Sequence, residues 1–282
     1  WTTHLGNVEP DYNADNPILR GSQPEDEPAN LIDAFTREAC DFIQRHAAQP
    51  FFLYLAYNAV HSPMQAADRT LEKFAHLPDI HRRIFAAMLS HLDDSIGSLL
   101  TQLHYVGLDH NTLVVFLSDN GGPTRELTSS NAPLRGEKGS YFEGGIRVPF
   151  IVRWPAQLPA GRVVDTPVIS LDLTATALHA GGAKVDAAAL DGRDLAAMLA
   201  SPATSAEPRT FYWRAGQRRA IRHGDWKLVR DAGRRQAGEW LLFNLATDIS
   251  EKTDLAAQEP ARVAELAALW EKWNSQQLAP LW

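Results

Sequence analysis

Three apolar runs interrupt an otherwise mixed sequence: Phe51–Ala56, Leu113–Leu117 and Phe150–Trp154, the last carrying Arg153. The first two read as strands covered on both faces, the pattern a parallel sheet uses. Elsewhere the spacing changes to three and four residues. Leu31, Phe35, Ala39, Phe42 and Ile43 share one face of a helix predicted over Leu31–His46. Ile84, Met88, Leu92, Ile96, Leu99 and Leu103 do the same for a longer helix over Ile80–Leu103, which Gly107 closes. Val168–Leu173 leads into a further helix that Gly181–Gly182 ends. The pattern then shortens. Thr210–Arg214, Arg218–His223, Trp226–Arg230 and Trp240–Leu245 read as short strands, followed by a helix over Pro260–Trp273.

These elements divide the chain into three parts. Residues 1–30 are rich in Asn, Asp, Glu and Pro and predict an irregular exposed segment. Residues 31–200 predict an α/β domain, a mainly parallel sheet flanked by helices. After a linker over Ser201–Pro208, residues 209–282 predict a small antiparallel α+β unit.

Bulk properties narrow the functional classes. A length of 282 residues suffices for one large domain, or a large and a small one. A net charge of −7 argues against a nucleic-acid partner. No apolar run approaches the roughly 18 residues of a membrane span. The single cysteine, Cys40, leaves no intrachain disulfide to form. The chain opens on Trp1 with no leader-like segment, and is read as a piece of something longer. Oligomeric state is not encoded in any of these features.

Candidate chemistry gathers just past the ends of the apolar runs. Leu113–Leu117 stops in Ser118-Asp119-Asn120-Gly121-Gly122, and ligands of open α/β sheets sit at the carboxyl ends of strands. Asp119 and Asn120 offer a carboxylate and an amide oxygen, the mixture a hard divalent cation takes. The same tripeptide is also a common β-turn. The glycines allow a sharp turn and close approach to a ligand. Lys138 stands between Gly136 and Gly139, as a solvated charge or, beside a metal, as a fixed donor to an anion. His61 follows the first strand in Tyr57-Asn58-Ala59-Val60-His61-Ser62-Pro63. Two parallel strands would deliver it to the same sheet edge as Asp119 and Asn120.

Other polar residues read as structural. His4 has no partner at useful spacing and predicts a surface histidine. Cys40 has no activating base nearby and predicts a packing residue. His91, Asp93 and Asp94 on the long helix predict solvated or capping roles. Asp172 fits the first turn of its helix. Arg222, His223 and Lys227 predict a solvated hairpin.

The ordered segments LSDNGG and LRGEKGSYFEGGIRVPFIVRWP, with PFFLYLAYNAVHSPMQA before them, resemble the type I sulfatases of the alkaline-phosphatase-like superfamily. AIRHGDWKLVR and LLFNLATDISEKTDL resemble the C-terminal subdomain of that family, so the resemblance runs from about Leu31 to the end. It implies a sulfuric ester hydrolase with calcium as the usual metal. Asp119 and Asn120 would be metal ligands, Lys138 a contact to the sulfate ester, and His61 the residue that helps the leaving oxygen depart. It also makes Arg222, His223 and Lys227 candidates for substrate contacts. The family's nucleophile is a formylglycine made from a cysteine in Cys-x-Pro/Ala-x-Arg. Cys40 is followed by Asp41-Phe42-Ile43-Gln44, so that nucleophile is expected outside this chain, as are the paired aspartates of the first strand. The fold is therefore expected to be incomplete at its N-terminus, and the chain alone inactive and a weak calcium binder. The implied substrate is a sulfated sugar or aryl ester, a small molecule or a glycan, and the implied compartment periplasmic or secreted. Two alternatives stay open: a phosphate or phosphonate ester hydrolase of the same superfamily, and a non-catalytic protein that binds sulfated glycans.

Overall fold

A computed structural model describes residues 2–3, 18–124, 128–184, 186, 189–200, 208–231 and 239–279. Its contacts gather into two units, Trp1–Thr112 with Arg125–Ser129, and Leu113–Thr124 with Ser130–Trp282. His4 lies outside the described residues. Among those described, no helix is long and apolar enough to cross a membrane.

The first unit runs β1 (Thr2–Thr3), β2 (Ile18–Arg20), β3 (Gln23–Glu25), α1 (Leu31–Arg45), β4 (Gln65–Ala66), α2 (Asp68–Glu72) and α3 (Ile80–Tyr105). β2 and β3 form a small hairpin inside the stretch expected to be irregular. Arg20 fastens it by donating to Glu25 and, at 2.8 Å, to Glu38 on α1. The Asn30 side chain caps α1 by accepting from the Ile32 N–H at 2.9 Å. Its buried face is Ile32, Ala34, Ala39 and Ile43. Leu31, Phe35 and Phe42 are only half-buried, one step round the helix from the expected stripe. Ile84, Ala87 and Met88 of α3 pack with Met64, Ala66 and Leu71 into this unit's core.

His91 is not simply solvated, whereas Asp94 is exposed as expected. His91 Nε2 bonds Asp33 Oδ1 at 2.7 Å, joining α3 to α1, and Asp94 pairs with Lys73 at 3.3 Å. Cys40 is half-buried on α1, and burial, then the neighbouring Asp41 charge, pushes its thiol up, as suits a packing residue. The run Phe51–Ala56 departs from expectation. No strand pairs with it among the described residues, although exposure alternates along it. Phe51, Leu53 and Leu55 turn to the protein, with Phe51 edge-on to Phe42 of α1. Phe52 and Tyr54 on the other side are 75% and 81% exposed. An extended segment alternates its faces, and here a helix covers only one of them.

The second unit runs β5 (Val114–Leu117), α4 (Glu143–Ile146), β6 (Phe150–Arg153), α5 (Leu171–Ala180), α6 (Ala196–Ala200), β7 (Thr210–Ala215), β8 (Arg218–His223), β9 (Trp226–Arg230), β10 (Leu241–Asn244) and α7 (Pro260–Asn274). β5 pairs with β6, antiparallel, from Val114 opposite Arg153 to Leu117 opposite Phe150. A parallel return needs a crossover, usually a helix of several turns. Here a loop with a single helical turn makes the connection, so the chain doubles back. The long loop therefore starts and ends at one place.

The last four strands form the expected antiparallel sheet, in order β10-β9-β8-β7. Strand alternation gives it two covered faces. Ile221, Leu228 and Leu242 pack on Leu266 and Trp270 of α7. Ala220, Val229 and Phe243 face the opposite way, against Tyr141 and Phe142 of the β5–β6 loop.

Asp172 stands in the first turn of α5, as expected, and does more than cap it. It is fully buried and accepts from both Nη atoms of Arg209 at 2.7 Å, from Ile169 N at 2.9 Å and from Arg193 N at 2.8 Å. Burial alone would raise its carboxyl. The Arg209 fork and the two N–H groups more than offset that and hold it below the ordinary range. A depressed carboxylate adds stability above the unfolded-state value, near about pH 3.9, and loses it as pH falls through the folded value. Asp172→Ala strands the Arg209 guanidinium and should cost about 3–5 kcal/mol at pH 7 in urea unfolding. The gap between the two proteins should narrow below about pH 4. A gap unchanged between neutral and acidic pH would show that the charge contributes nothing.

Candidate functional site

The Asp119–Asn120 turn and the Lys138 loop are the two ends of the β5–β6 connection, and the backbone laces them together. As β5 ends, Ser118 N donates to Pro149 O at 3.4 Å and the Ser118 hydroxyl to Asn120 O at 2.9 Å. Asp119 Oδ1 accepts from Asn120 N at 2.9 Å, a turn-type contact, and the Asp119 side chain is exposed. The Asn120 amide nitrogen donates to Gly121 O at 3.2 Å, which leaves its Oδ1 as the atom suited to a cation. The turn reading and the ligand reading are thus compatible.

Gly121 N donates to Gly145 O at 3.0 Å. A Cβ on Gly121 would lie 1.7 Å from Gly144 O. This glycine lets the turn lie directly against the far end of the same connection. Asn131 bridges the same two segments. Its Oδ1 accepts from Gly122 N at 2.9 Å, and its Nδ2 donates to Gly122 O at 2.8 Å and Gly136 O at 3.2 Å. Thr124 donates from its hydroxyl to Glu137 Oε2 at 2.7 Å, one residue before Lys138.

Lys138 itself is exposed at the tip of a turn in which Ser140 N donates to Glu137 O at 2.9 Å. Gly136 and Gly139 frame it at φ +87° and +85°, a region that disfavours any side chain. The loop closes where Gly144 N donates to Arg135 O at 2.6 Å.

Behind the loop lies a buried group of charges. Lys227 is fully buried, with Nζ 2.7 Å from Glu143 Oε1 and 2.9 Å from Glu251 Oε1. Glu251 Oε2 accepts from Glu143 N at 2.6 Å. Arg222 Nη1 lies 3.8 Å from Glu143 Oε2, and Arg147 reaches the same oxygen at 3.9 Å from the rim. Burial pushes the Glu251 carboxyl up against the pull of Lys227, and pushes the Arg222 guanidinium down against that of Glu143. Lys227 and Arg222 are therefore interior ion-pair partners, not residues of a solvated hairpin. His223 bonds Thr210 Oγ1 through Nδ1 at 2.7 Å. None of the three is a free surface donor.

His61 belongs to the first unit. It is exposed, its N–H bonds Asn58 O at 2.9 Å, and its Nδ1 bonds Ser62 O at 2.7 Å. A carbonyl partner at Nδ1 favours the tautomer that carries its proton there. Among the described residues no three His, Cys, Asp or Glu side chains cluster as a metal shell would. Asn131 and Glu251, which hold the loops, carried no local sequence signal.

The sulfatase family profile matches residues 5–183, more than half of the chain. The profile described as N-sulphoglucosamine sulphohydrolase, C-terminal, matches residues 137–277. Arylsulfatase J of Mus musculus is 31% identical over 290 residues, covering 85% of this chain and 48% of the relative. N-acetylgalactosamine-6-sulfatase of Mus musculus is 36% identical over 232 residues, covering 80% and 42%. The chain thus spans about half the length of the curated relatives it matches. The crystal structure of Ps i-CgsB in complex with k-i-k-neocarrahexaose superposes with a TM-score of 0.85 at 34% identity, over 95% of this chain and 60% of that one.

Gly121→Ala should test the lacing. Its Cβ would meet backbone oxygen, which cannot swing aside, so the substitution should destabilise the second unit by about 1–3 kcal/mol in thermal or urea unfolding. Gly97→Ala on α3, where a Cβ meets nothing within 4 Å, should be neutral or gain up to about 1 kcal/mol. Equal stability of Gly121→Ala and the unsubstituted protein would contradict the close approach.

Proposed function

We propose, for a chain that belongs to the sulfatase family, that it carries the metal-binding and sulfate-contacting loops of a sulfuric ester hydrolase. The observation that carries this reading is the union of the Asp119–Asn120 turn with the Lys138 loop through Gly121, Asn131 and Thr124. Two oxygen donors and an exposed cation held on one backbone scaffold suit a tetrahedral dianion or its ester. The whole enzyme's substrate is proposed to be a sulfated sugar or aryl ester. The relatives support this, being an arylsulfatase and an N-acetylgalactosamine-6-sulfatase by name.

Asp119 and Asn120 would hold the metal. Their donor set, one anionic and one neutral oxygen, fits a hard divalent cation, and calcium is the ion proposed. Two residues fill only part of the about six to eight positions calcium takes, so the remaining ligands come from elsewhere in the whole enzyme. A bound cation there supplies positive charge against the sulfate oxygens, and the family's formylglycine supplies the nucleophile. Cys40 is not a precursor of that group, because Asp41-Phe42-Ile43-Gln44 follows it.

The residues of this chain then divide the work. The Lys138 ammonium donates to a sulfate oxygen and orients the ester. His61, with Nδ1 committed to Ser62 O, carries its second proton on Nε2 and gives it to the departing bridging oxygen. Sugar oxygens are poor leaving groups and need that proton more than aryl oxygens do.

The test is calcium content and sulfate release in the full-length gene product. Asp119→Ala should lower both together. Asp119→Asn keeps an oxygen and loses the charge, and should fall between. Undiminished calcium and activity in Asp119→Ala would reduce the motif to a plain turn.

A further inference from the structure

The C-terminal sheet holds the Lys138 loop at both ends and at its middle. One residue, Glu251, closes the ends. Its carbonyl accepts from Arg135 Nη1 at 2.8 Å, and its carboxylate accepts from Glu143 N at 2.6 Å. Arg135 lies under the Phe142 ring at 3.9 Å, which packs edge-on against Phe243 of β10 at 6.2 Å. Lys227 of β9 fixes the Glu143 side chain at 2.7 Å and Glu251 at 2.9 Å. Arg218 of β8 holds the middle. Its guanidinium donates to Gly139 O, next to Lys138, and lies 6.0 Å over the Tyr141 ring.

Two features separate this arrangement from ordinary core packing. Glu251 stands at φ +51° although it is not glycine, and is fully buried. A residue held in a sparsely populated conformation is over-determined by its surroundings, and such residues cluster at functional sites. Moreover, an apolar side chain at 227 would fill the interior without an ammonium, yet the chain spends a buried cation on one loop. A buried ion pair is weak evidence for stability, and its best-attested use is to fix registry.

We propose that Lys227, Glu251 and Arg218 are positioning residues for Lys138. They act through Glu143 and the Gly139 carbonyl and aim the Lys138 ammonium at the sulfate group. The proposal rests on the reading of Lys138 as the sulfate contact. It gives the C-terminal sheet a part in the chemistry without any of its residues touching substrate. Lys227 fixes where the loop ends, and Arg218 fixes the peptide beside the lysine.

The test is a double-mutant cycle on kcat/KM for one sulfate ester, in the full-length gene product. Lys227→Met and Arg218→Ala should each lower kcat/KM about tenfold to a hundredfold, since a misplacement of about 1 Å can cost that much. In a Lys138→Ala background the same substitutions should cost less than about twofold, because the group they position is gone. Losses that multiply undiminished in that background would overturn the proposal. Lys138→Ala alone tests the underlying reading. Activity equal to that of the unsubstituted protein would remove Lys138 from the site and the proposal with it. Lys227→Met takes the ammonium from between Glu143 and Glu251, two buried carboxylates, and can prevent folding. Arg218, at the rim of the sheet, then decides the question alone, because its replacement leaves the buried charges in place.

Discussion

The second unit depends on a buried ammonium. Removing one ion from water to a protein interior costs several kcal/mol, and only close partners of opposite sign offset it. Lys227 has two, Glu143 at 2.7 Å and Glu251 at 2.9 Å. Those carboxylates bring the opposite problem, an excess of negative charge, and Arg222 balances it from the neighbouring strand at 3.8 Å. Each member is tolerable only with the others in place. Breaking such a group by losing one partner typically costs about 3–5 kcal/mol. The three charged residues come from β8, β9 and the segment after β10, whereas Glu143 opens α4 in the β5–β6 loop. Folding the sheet therefore fixes the loop.

From the other side, glycine does the fixing. Gly121, Gly144 and Gly145 approach other backbone groups so closely that a Cβ on any of them would fall within 3.0 Å of a carbonyl oxygen. Side-chain contacts leave rotamer freedom, but peptide–peptide contacts at this range do not. The candidate metal turn and the candidate sulfate loop therefore behave as one rigid piece, as a site needs when it must hold charge in place during a reaction. The Asp119 carboxylate and the Lys138 ammonium, the exposed groups proposed to act at the site, are carried by this laced backbone.

Much of this was legible in the sequence. The apolar run before Ser118 and the Asp-Asn-Gly-Gly that ends it located the turn. The glycines around Lys138 located its loop, and both lie at positive φ as a tight turn demands. The period-2 strands at the C-terminus and their sheet were also readable. What failed, failed for physical reasons. Lys227 was taken for a surface residue because lysine in an alternating strand normally marks the solvent face. Its burial depends on carboxylates 84 and 24 positions away in sequence, by subtraction from 227 of 143 and of 227 from 251. Asp172 does stand in the first turn of its helix, but its burial against Arg209 was not readable, because that fork partner is remote in sequence. Phe52 and Tyr54 belong to a continuous apolar run, which suggested two covered faces, but a single helix covers one. Local pattern reports the kind of element, whereas the pairing of charges and strands is a property of the folded chain.

Amide hydrogen exchange tests the central claim, that turn and loop are one body, most directly. Gly121, Gly144 and Gly145 each donate a backbone hydrogen bond, to Gly145, Arg135 and Phe142 respectively. If the segments move as a unit, these amides open together and exchange with similar protection. Slow exchange at all three, lost together in Gly121→Ala, is the expected result. Fast exchange at Gly121 beside full protection at Gly144 and Gly145 would mean that the turn moves independently of the loop, and would contradict the account.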